Sequence, residues 1–125
     1  MNGNNFLIDS NIIIYLTQGK LNITDFAKKG SRLYISSIVY MEALGYSFAN
    51  QLQENLTTEL CNAFGRIFLT KEIEARTILI RKNKKIKLPD AIIAATAIVY
   101  NFTLVTHNND DFKDIPGLTI LDPFS

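Results

Sequence analysis

Short, unbroken apolar runs recur along this chain at Phe6–Ile8, Leu33–Ile35, Ile67–Leu69, Thr103–Val105 and Leu118–Leu121. Runs of that length without polar alternation predict strands buried on both faces. Between them, apolar residues return at helical spacing, as in Leu52, Leu56, Leu60 and Phe64, or Ile73, Thr77 and Ile80. Each set forms one stripe of a helix. Two more helices are marked by their starts. Ser36 or Ser37 can cap a helix continuing from Ile38 to Leu44, and Pro89, suited to a first turn, opens one through Ile92, Ile93, Ala95, Ile98 and Val99. Strands that carry helices between them require crossover connections and therefore parallel neighbours. The predicted fold class is α/β, a three-layer α/β/α sandwich with a mainly parallel central sheet. Ligand sites in such sheets gather outside the carboxyl ends of the strands.

Length and composition narrow this further. At 125 residues with no repeat or Gly/Ser linker, residues 1–125 are expected to form a single domain. Charged residues make up 20% of the chain and interrupt every apolar run well before the roughly 20 residues needed to cross a bilayer, so no membrane association is expected. The start, MNGNNFLIDSN, lacks the charged and then apolar pattern of a secretory signal, which predicts a cytoplasmic protein. Cys61 has no second cysteine to pair with and falls among Leu56, Leu60 and Phe64, as a small buried hydrophobe would. A net charge of +1 gives no overall field for a polyanion, so any nucleic-acid contact must rest on local clusters.

Four acidic positions fall where such a sheet places its chemistry. Asp9 closes the first strand in FLIDSN, where it suits either a site or a helix cap. Glu42, in SSIVYMEALGY, shares a helix stripe with Ile38 and Gly45, so no separate polar face carries it into water. Asp90 stands in the first turn of a nearly all-apolar helix, with small Ala94 and Ala97 beneath it; the helix dipole alone would favour an acid there. In LVTHNNDDF, residues 104–112, Thr106, Asn108, Asp110 and Asp111 crowd one turn after a strand, and all are ordinary turn formers. His107, with no second histidine, is expected to be a surface loop residue.

If the strands are parallel neighbours, these acids converge. Like charges within a few ångströms raise one another's pKa and oppose folding unless protons or cations neutralise them. An all-oxygen donor set suits Mg²⁺ or Mn²⁺, which keep part of their water and take substrate phosphate as a further ligand. The run Arg76, Arg81, Lys82, Lys84, Lys85 and Lys87 precedes Asp90 directly. It can grip a phosphate backbone, or serve as a solvated helix end whose cations complement the dipole, with Glu72 and Glu74 at the other end. Dipole complementation is expected for most of the run, with Lys87 nearest the site.

FLIDSN, ISSIVYMEAL, KLPDAIIAATA and LVTHNNDDF, in this order and spacing over nearly the whole chain, resemble the four motifs of PIN-domain ribonucleases, in particular VapC-type toxins of toxin–antitoxin pairs. The resemblance implies a Mg²⁺- or Mn²⁺-dependent endoribonuclease that cleaves RNA, is held inactive by a cognate antitoxin and forms a homodimer. It makes Asp9, Glu42, Asp90 and Asp111 the metal-binding and catalytic acids, with Asp110 a rival to Asp111, and Asn11, Thr106 and Asn108 supporting polar residues. The stretch Leu52 to Phe64 corresponds to a region packing against a partner chain or antitoxin, or else into the monomer's own core. Two other functions are compatible with parts of the pattern. A haloacid-dehalogenase-type phosphatase also uses an aspartate after its first strand but wants a second acid two residues on, where Asn11 stands. A non-catalytic PIN-like module would bind RNA or protein and merely retain the acids.

Overall fold

The structure, a computed structural model, describes residues 4–125. Met1, Asn2 and Gly3, which the single-domain expectation and the signal-free N-terminus include, lie outside the described residues. Five strands, β1 (Asn5–Ile8), β2 (Arg32–Ser36), β3 (Gly65–Ile67), β4 (Thr103–Val105) and β5 (Thr119–Leu121), pair in the order β3-β2-β1-β4-β5, every pair parallel. The helices are α1 (Ser10–Thr17), α2 (Ser37–Leu44), α3 (Gln51–Ala63), α4 (Lys71–Asn83), α5 (Leu88–Tyr100) and the short α6 (Asn109–Phe112). From β1 to β3 the chain steps outward one way, carrying α1, α2 and α3; it then crosses back through α4 and α5 to β4. Right-handed crossovers in opposite directions put the two helix sets on opposite faces of the sheet. This is the expected three-layer α/β/α sandwich.

Its core is built from runs that the sequence made apolar throughout. Leu7, Ile8, Ile35, Leu104 and Val105 on the strands are fully buried, as are Ile12, Ile13, Ile73 and Ile93 on the helices. Along α5, Ala91, Ala94, Ala95 and Ala97 are also fully buried, so small side chains let this helix lie close against its neighbours. Leu88, Val99 and Tyr100 on the same helix reach solvent, so it is apolar all round without being enclosed all round.

Two expectations are corrected. The apolar run Ile67–Leu69 is not the third strand: pairing begins at Gly65 opposite Tyr34 and ends at Ile67 opposite Ser36, leaving Phe68 and Leu69 exposed. Gly65 permits this register because a Cβ there would stand 2.6 Å from the Tyr34 ring. The stripe Leu52, Leu56, Leu60 and Phe64 is not the buried face of α3 as a whole. Leu52 is 68% exposed and Leu56 41%, while Thr57 and Cys61 face the core. Thr57 can be buried because its hydroxyl donates to the Gln53 carbonyl at 2.8 Å, so its polarity is satisfied within the helix. Cys61 is buried as expected, and burial pushes its thiol up, against the opposing pull of Arg66.

Candidate active site

In the strand order, direction reverses between β1 and β4, and the crevice outside their carboxyl ends is where an open parallel sheet binds ligands. Asp9 follows β1 there and Thr106 follows β4. The backbone N–H of Asp9 donates to the Val105 carbonyl at 3.0 Å, closing the crevice floor. Asp9 is both of the things its position suggested. It caps α1, its Oδ1 accepting from the Ser10 N–H at 2.8 Å, and its Oδ2 accepts from the Thr106 hydroxyl, also at 2.8 Å.

The carboxylate is nevertheless not at ease. Burial raises its pKa above the ordinary 3.8; the Thr106 and Ser10 hydrogen bonds oppose this, and the charges of Asp90 and Asp111 push it up further. Asp90, half-buried in the first turn of α5, is raised first by burial and then by Asp111, with Lys87 pulling the other way. Glu42 lies on the exposed rim of α2, yet local loss of water raises its carboxyl, followed by the charges of Asp9 and Asp90, against the Ser10 hydroxyl. The four acids singled out in the sequence are thus near enough for their charges to act on one another. Their separations in the chain, from residue 9 to residue 111, are closed by the parallel pairing of β1 with β2 and β4.

The turn after β4 distinguishes the two late aspartates. Asp111 Oδ2 accepts from the Asn108 side-chain amide at 2.7 Å, and its charge is felt by both Asp9 and Asp90. Asp110 points outward, its side chain 93% exposed and paired at 3.7 Å with Lys113. The supporting residues make two sets of bonds, a chain of donors from Asn108 through Thr106 to Asp9 and a separate contact at Asn11. The Asn108 N–H donates to Thr106 Oγ1 at 3.0 Å, Thr106 donates to Asp9, and Asn11 Oδ1 accepts from the His107 N–H at 3.4 Å. Fully buried Phe112 anchors α6 just after Asp111.

Asp122 escaped the sequence reasoning. Its side chain is 7% exposed and accepts from His107 Nδ1 (3.0 Å), Asn109 Nδ2 (2.8 Å) and the Phe124 N–H (3.0 Å). Burial raises its pKa, but the bonds from Phe124, Asn109 and His107 outweigh it and hold the carboxyl below the usual range. It ties the end of the chain to the turn that carries Asn108 and Asp111. The signal was present as an Asp-Pro pair directly after a strand, a turn-starting dipeptide. His107 is the surface loop residue expected, 45% exposed at its side chain. Asp122→Ala is expected to lower stability by about 1 kcal/mol, since water reaches His107 but must replace three donors' shared acceptor. A denaturant titration checks this; an unchanged midpoint would show that the turn holds itself.

The donor chemistry fits a hard divalent cation. It is all oxygen, each Asp9 oxygen keeps a lone pair beyond the one its donor uses, and three raised carboxyls share one negative field. Among the described residues, no three histidine, cysteine or acidic side chains are close enough to form a closed ligand cage. Mg²⁺ ordinarily relies on one or two carboxylates with water and substrate phosphate completing its shell, so an open arrangement is compatible with it.

Beside Glu42 lies a largely apolar cleft of about 460 Å³ between α1, α2 and α3, lined by residues that include Ile13, Ile14, Ala43, Tyr46 and Phe48. On the other side, a groove of about 490 Å³ joins Asp90, Asp110 and Asp111 to Arg81 of α4 and the lysines of the α4–α5 loop. None of the described helices is long and apolar enough to cross a membrane.

Comparison with known proteins agrees with this geometry. The PIN domain family matches residues 6–118. Ribonuclease VapC1 of Rickettsia felis is 35% identical, over 92% of this chain and 93% of that protein. A toxin–antitoxin complex from Klebsiella pneumoniae contains a chain 34% identical, with a TM-score of 0.76 over 94% of this chain and 96% of its own. The DNA-bound VapBC of Salmonella typhimurium superposes with a TM-score of 0.81 at 26% identity, over 95% and 98% of the two chains.

Proposed function

Because this chain belongs to the PIN-domain family, we propose that it is the toxin of a toxin–antitoxin pair, an endoribonuclease that hydrolyses RNA phosphodiester bonds with Mg²⁺ or Mn²⁺ at Asp9, Glu42, Asp90 and Asp111. The observation that carries this is the buried Asp9 carboxylate at the point where strand order reverses, hydrogen-bonded to Ser10 and Thr106, its carboxyl pushed up first by burial and then by the charges of Asp90 and Asp111.

Asp9 and Asp90 would hold the ion, with Glu42 and Asp111 beside them. A divalent cation in such a site supplies the positive charge that makes a water more acidic and a phosphoryl oxygen more electrophilic. The protein's own residues do the positioning. Ser10 and Thr106 each pin one Asp9 oxygen, Asn108 pins both Thr106 and Asp111, and buried Phe112 holds the turn. Groups fixed in this way need little reorganisation when charge develops on the phosphate.

The cognate antitoxin is a protein, and the apolar cleft beside Glu42 is a surface it would cover, shielding the carboxylates from substrate. The assembly proposed is a homodimer acting in the cytoplasm, for which exposed Leu52 and Leu56 on α3 offer an apolar contact. The phosphatase alternative lacks its second acid: Asn11 occupies the position and accepts from the His107 backbone.

The test is cleavage of single-stranded RNA by the purified protein with Mg²⁺, Mn²⁺ or EDTA. Activity should require the ion, be lost in Asp111→Asn and persist in Asp110→Asn. RNA left intact under every condition would favour the non-catalytic binding module, and turnover of small phosphate esters would favour the phosphatase.

A further inference from the structure

Of the run Arg76, Arg81, Lys82, Lys84, Lys85 and Lys87, expected to be mainly a solvated helix end, Arg76 lies within α4 away from its last turn, and the structure divides the other five. Arg81 and Lys82 occupy the last turn of α4, where cations meet the negative end of the helix dipole. Arg81 also braces the loop, its Nε donating to the Ile86 carbonyl at 3.4 Å. Lys84, the C-cap of α4, shares the dipole explanation. Lys85 and Lys87 do not. They precede α5, and Lys87 is its N-cap, a position at the positive end of a helix dipole where a cation is disfavoured, and it makes no side-chain cap bond.

Nor are these charges neutralised. Among the described residues the ion pairs are His107–Asp122 and Lys113–Asp110, so Arg81, Lys84, Lys85 and Lys87 have no carboxylate within pairing distance. Lys87 acts on Asp90 from farther away, lowering its pKa. All four cations line a groove whose other end is Asp90, Asp110 and Asp111, the charge of Asp110 being met by Lys113. An acidic pocket repels a phosphate backbone, so a polyanionic substrate needs an electropositive approach, and a whole-chain charge of +1 provides none.

We propose that the α4–α5 loop groove, through Arg81, Lys84, Lys85 and Lys87, is the subsite that grips the phosphates of single-stranded RNA flanking the bond to be cut. This rests on the ribonuclease reading and adds to it a side of approach: the RNA leaves the acidic pocket over α4 and α5, away from the apolar cleft beside Glu42. An acidic polypeptide would match the same charges, but the groove's continuity with the acidic pocket proposed to cleave phosphodiesters favours RNA.

The test uses the Lys84→Gln/Lys85→Gln double variant, because neither side chain makes a hydrogen bond or ion pair among the described residues. KM for a single-stranded oligoribonucleotide is measured against salt concentration, with Lys28→Gln/Lys29→Gln as a control. Lys28 and Lys29 are exposed cations before β2 that lie outside the groove and make no ion pair among the described residues. Each lost phosphate contact should reduce the log–log salt slope by about 0.7, so the groove variant should lose about 1.4. Its KM at about 0.1 M salt should rise on the order of 10-fold, with the effect on KM in preference to kcat, while the control keeps the wild-type slope. An unchanged KM and slope in a cleaving enzyme would overturn the subsite and leave the ribonuclease standing. Loss of polyglutamate binding without any change toward RNA would assign the groove to an acidic polypeptide and overturn it too. A wild-type protein that neither binds nor cleaves RNA would bring down both.

Discussion

Replacing Asp9 by asparagine is expected to cut RNA cleavage by about 100-fold or more while leaving the protein folded. Mutating residues that merely orient a metal ligand typically costs about 10–100-fold in metal affinity or activity. Asp9 is here proposed as a ligand itself, so its loss should cost at least as much. The fold should tolerate the change. The asparagine keeps an oxygen to accept from Ser10, and its amide can donate to Thr106 Oγ1, which has a second lone pair beside the one taken by Asn108. The exchange also removes a buried charge that its surroundings disfavour. Cleavage kinetics and a thermal melt on the same sample decide the matter: retained cleavage by a folded variant would remove Asp9 from the chemistry, whereas an unfolded variant would show it to be chiefly a cap.

The second large effect is on stability. Asp9, Glu42 and Asp90 all have carboxyls raised above their ordinary values of 3.8, 4.5 and 3.8. As pH climbs above those values, the folded protein still holds protons that the unfolded chain has released. Stability from these three groups therefore falls as pH rises and is lowest once they are fully ionised. Asp122 has the opposite sign: its lowered pKa contributes stability that is lost only as pH falls below the ordinary 3.8 toward the depressed value. The comparison of pH 5 with pH 7 thus lies outside the range in which Asp122 acts and within the range above the ordinary values of the three raised carboxyls. Without divalent ions, the pocket's contribution should make the protein more stable at pH 5 than at pH 7. Mg²⁺ or Mn²⁺ at about 100 times its dissociation constant should then add about 2.7 kcal/mol, or on the order of ten degrees in Tm for a domain of this size. The gain should be larger at pH 7 than at pH 5, because protons compete for the same oxygens. In Asp9→Asn the ion should stabilise less, and the ion-free protein at pH 7 should melt no lower than wild type. Differential scanning calorimetry with and without the ion checks this, and a Tm indifferent to millimolar Mg²⁺ and Mn²⁺ would mean that the pocket is no metal site.

Much of this was legible in the chain because the relevant signals are local. The buried strands of a parallel sheet lack polar alternation, and the runs around Leu7, Ile35 and Leu104 show it directly. The caps are equally local, since Ser36 and Asp9 bond N–H groups within three residues. The failures arise where a neighbouring strand or an internal hydrogen bond overrides hydropathy. The run Ile67–Leu69 looked more strand-like than Gly65, yet the register with β2 depends on the Tyr34 ring passing over a residue without a side chain. On α3, leucines outranked Thr57 as core residues by hydropathy alone, whereas an internal hydrogen bond makes the threonine buriable and the helix turns accordingly.

By itself the sequence determined the class of fold, the order of strands and helices, and which acids stand where strands end, because each follows from short-range periodicity and turn chemistry. Tertiary structure decided the rest. Which late aspartate faces the pocket, how Thr106 and Asn108 secure Asp9 and Asp111, that Asp122 ties the end of the chain to the same turn, and that unpaired lysines border the acids all depend on groups up to 97 residues apart. The physical reason is range. A side chain's propensity is felt over one turn of backbone, but its charge, hydration and partners are set by whatever folding brings beside it in space.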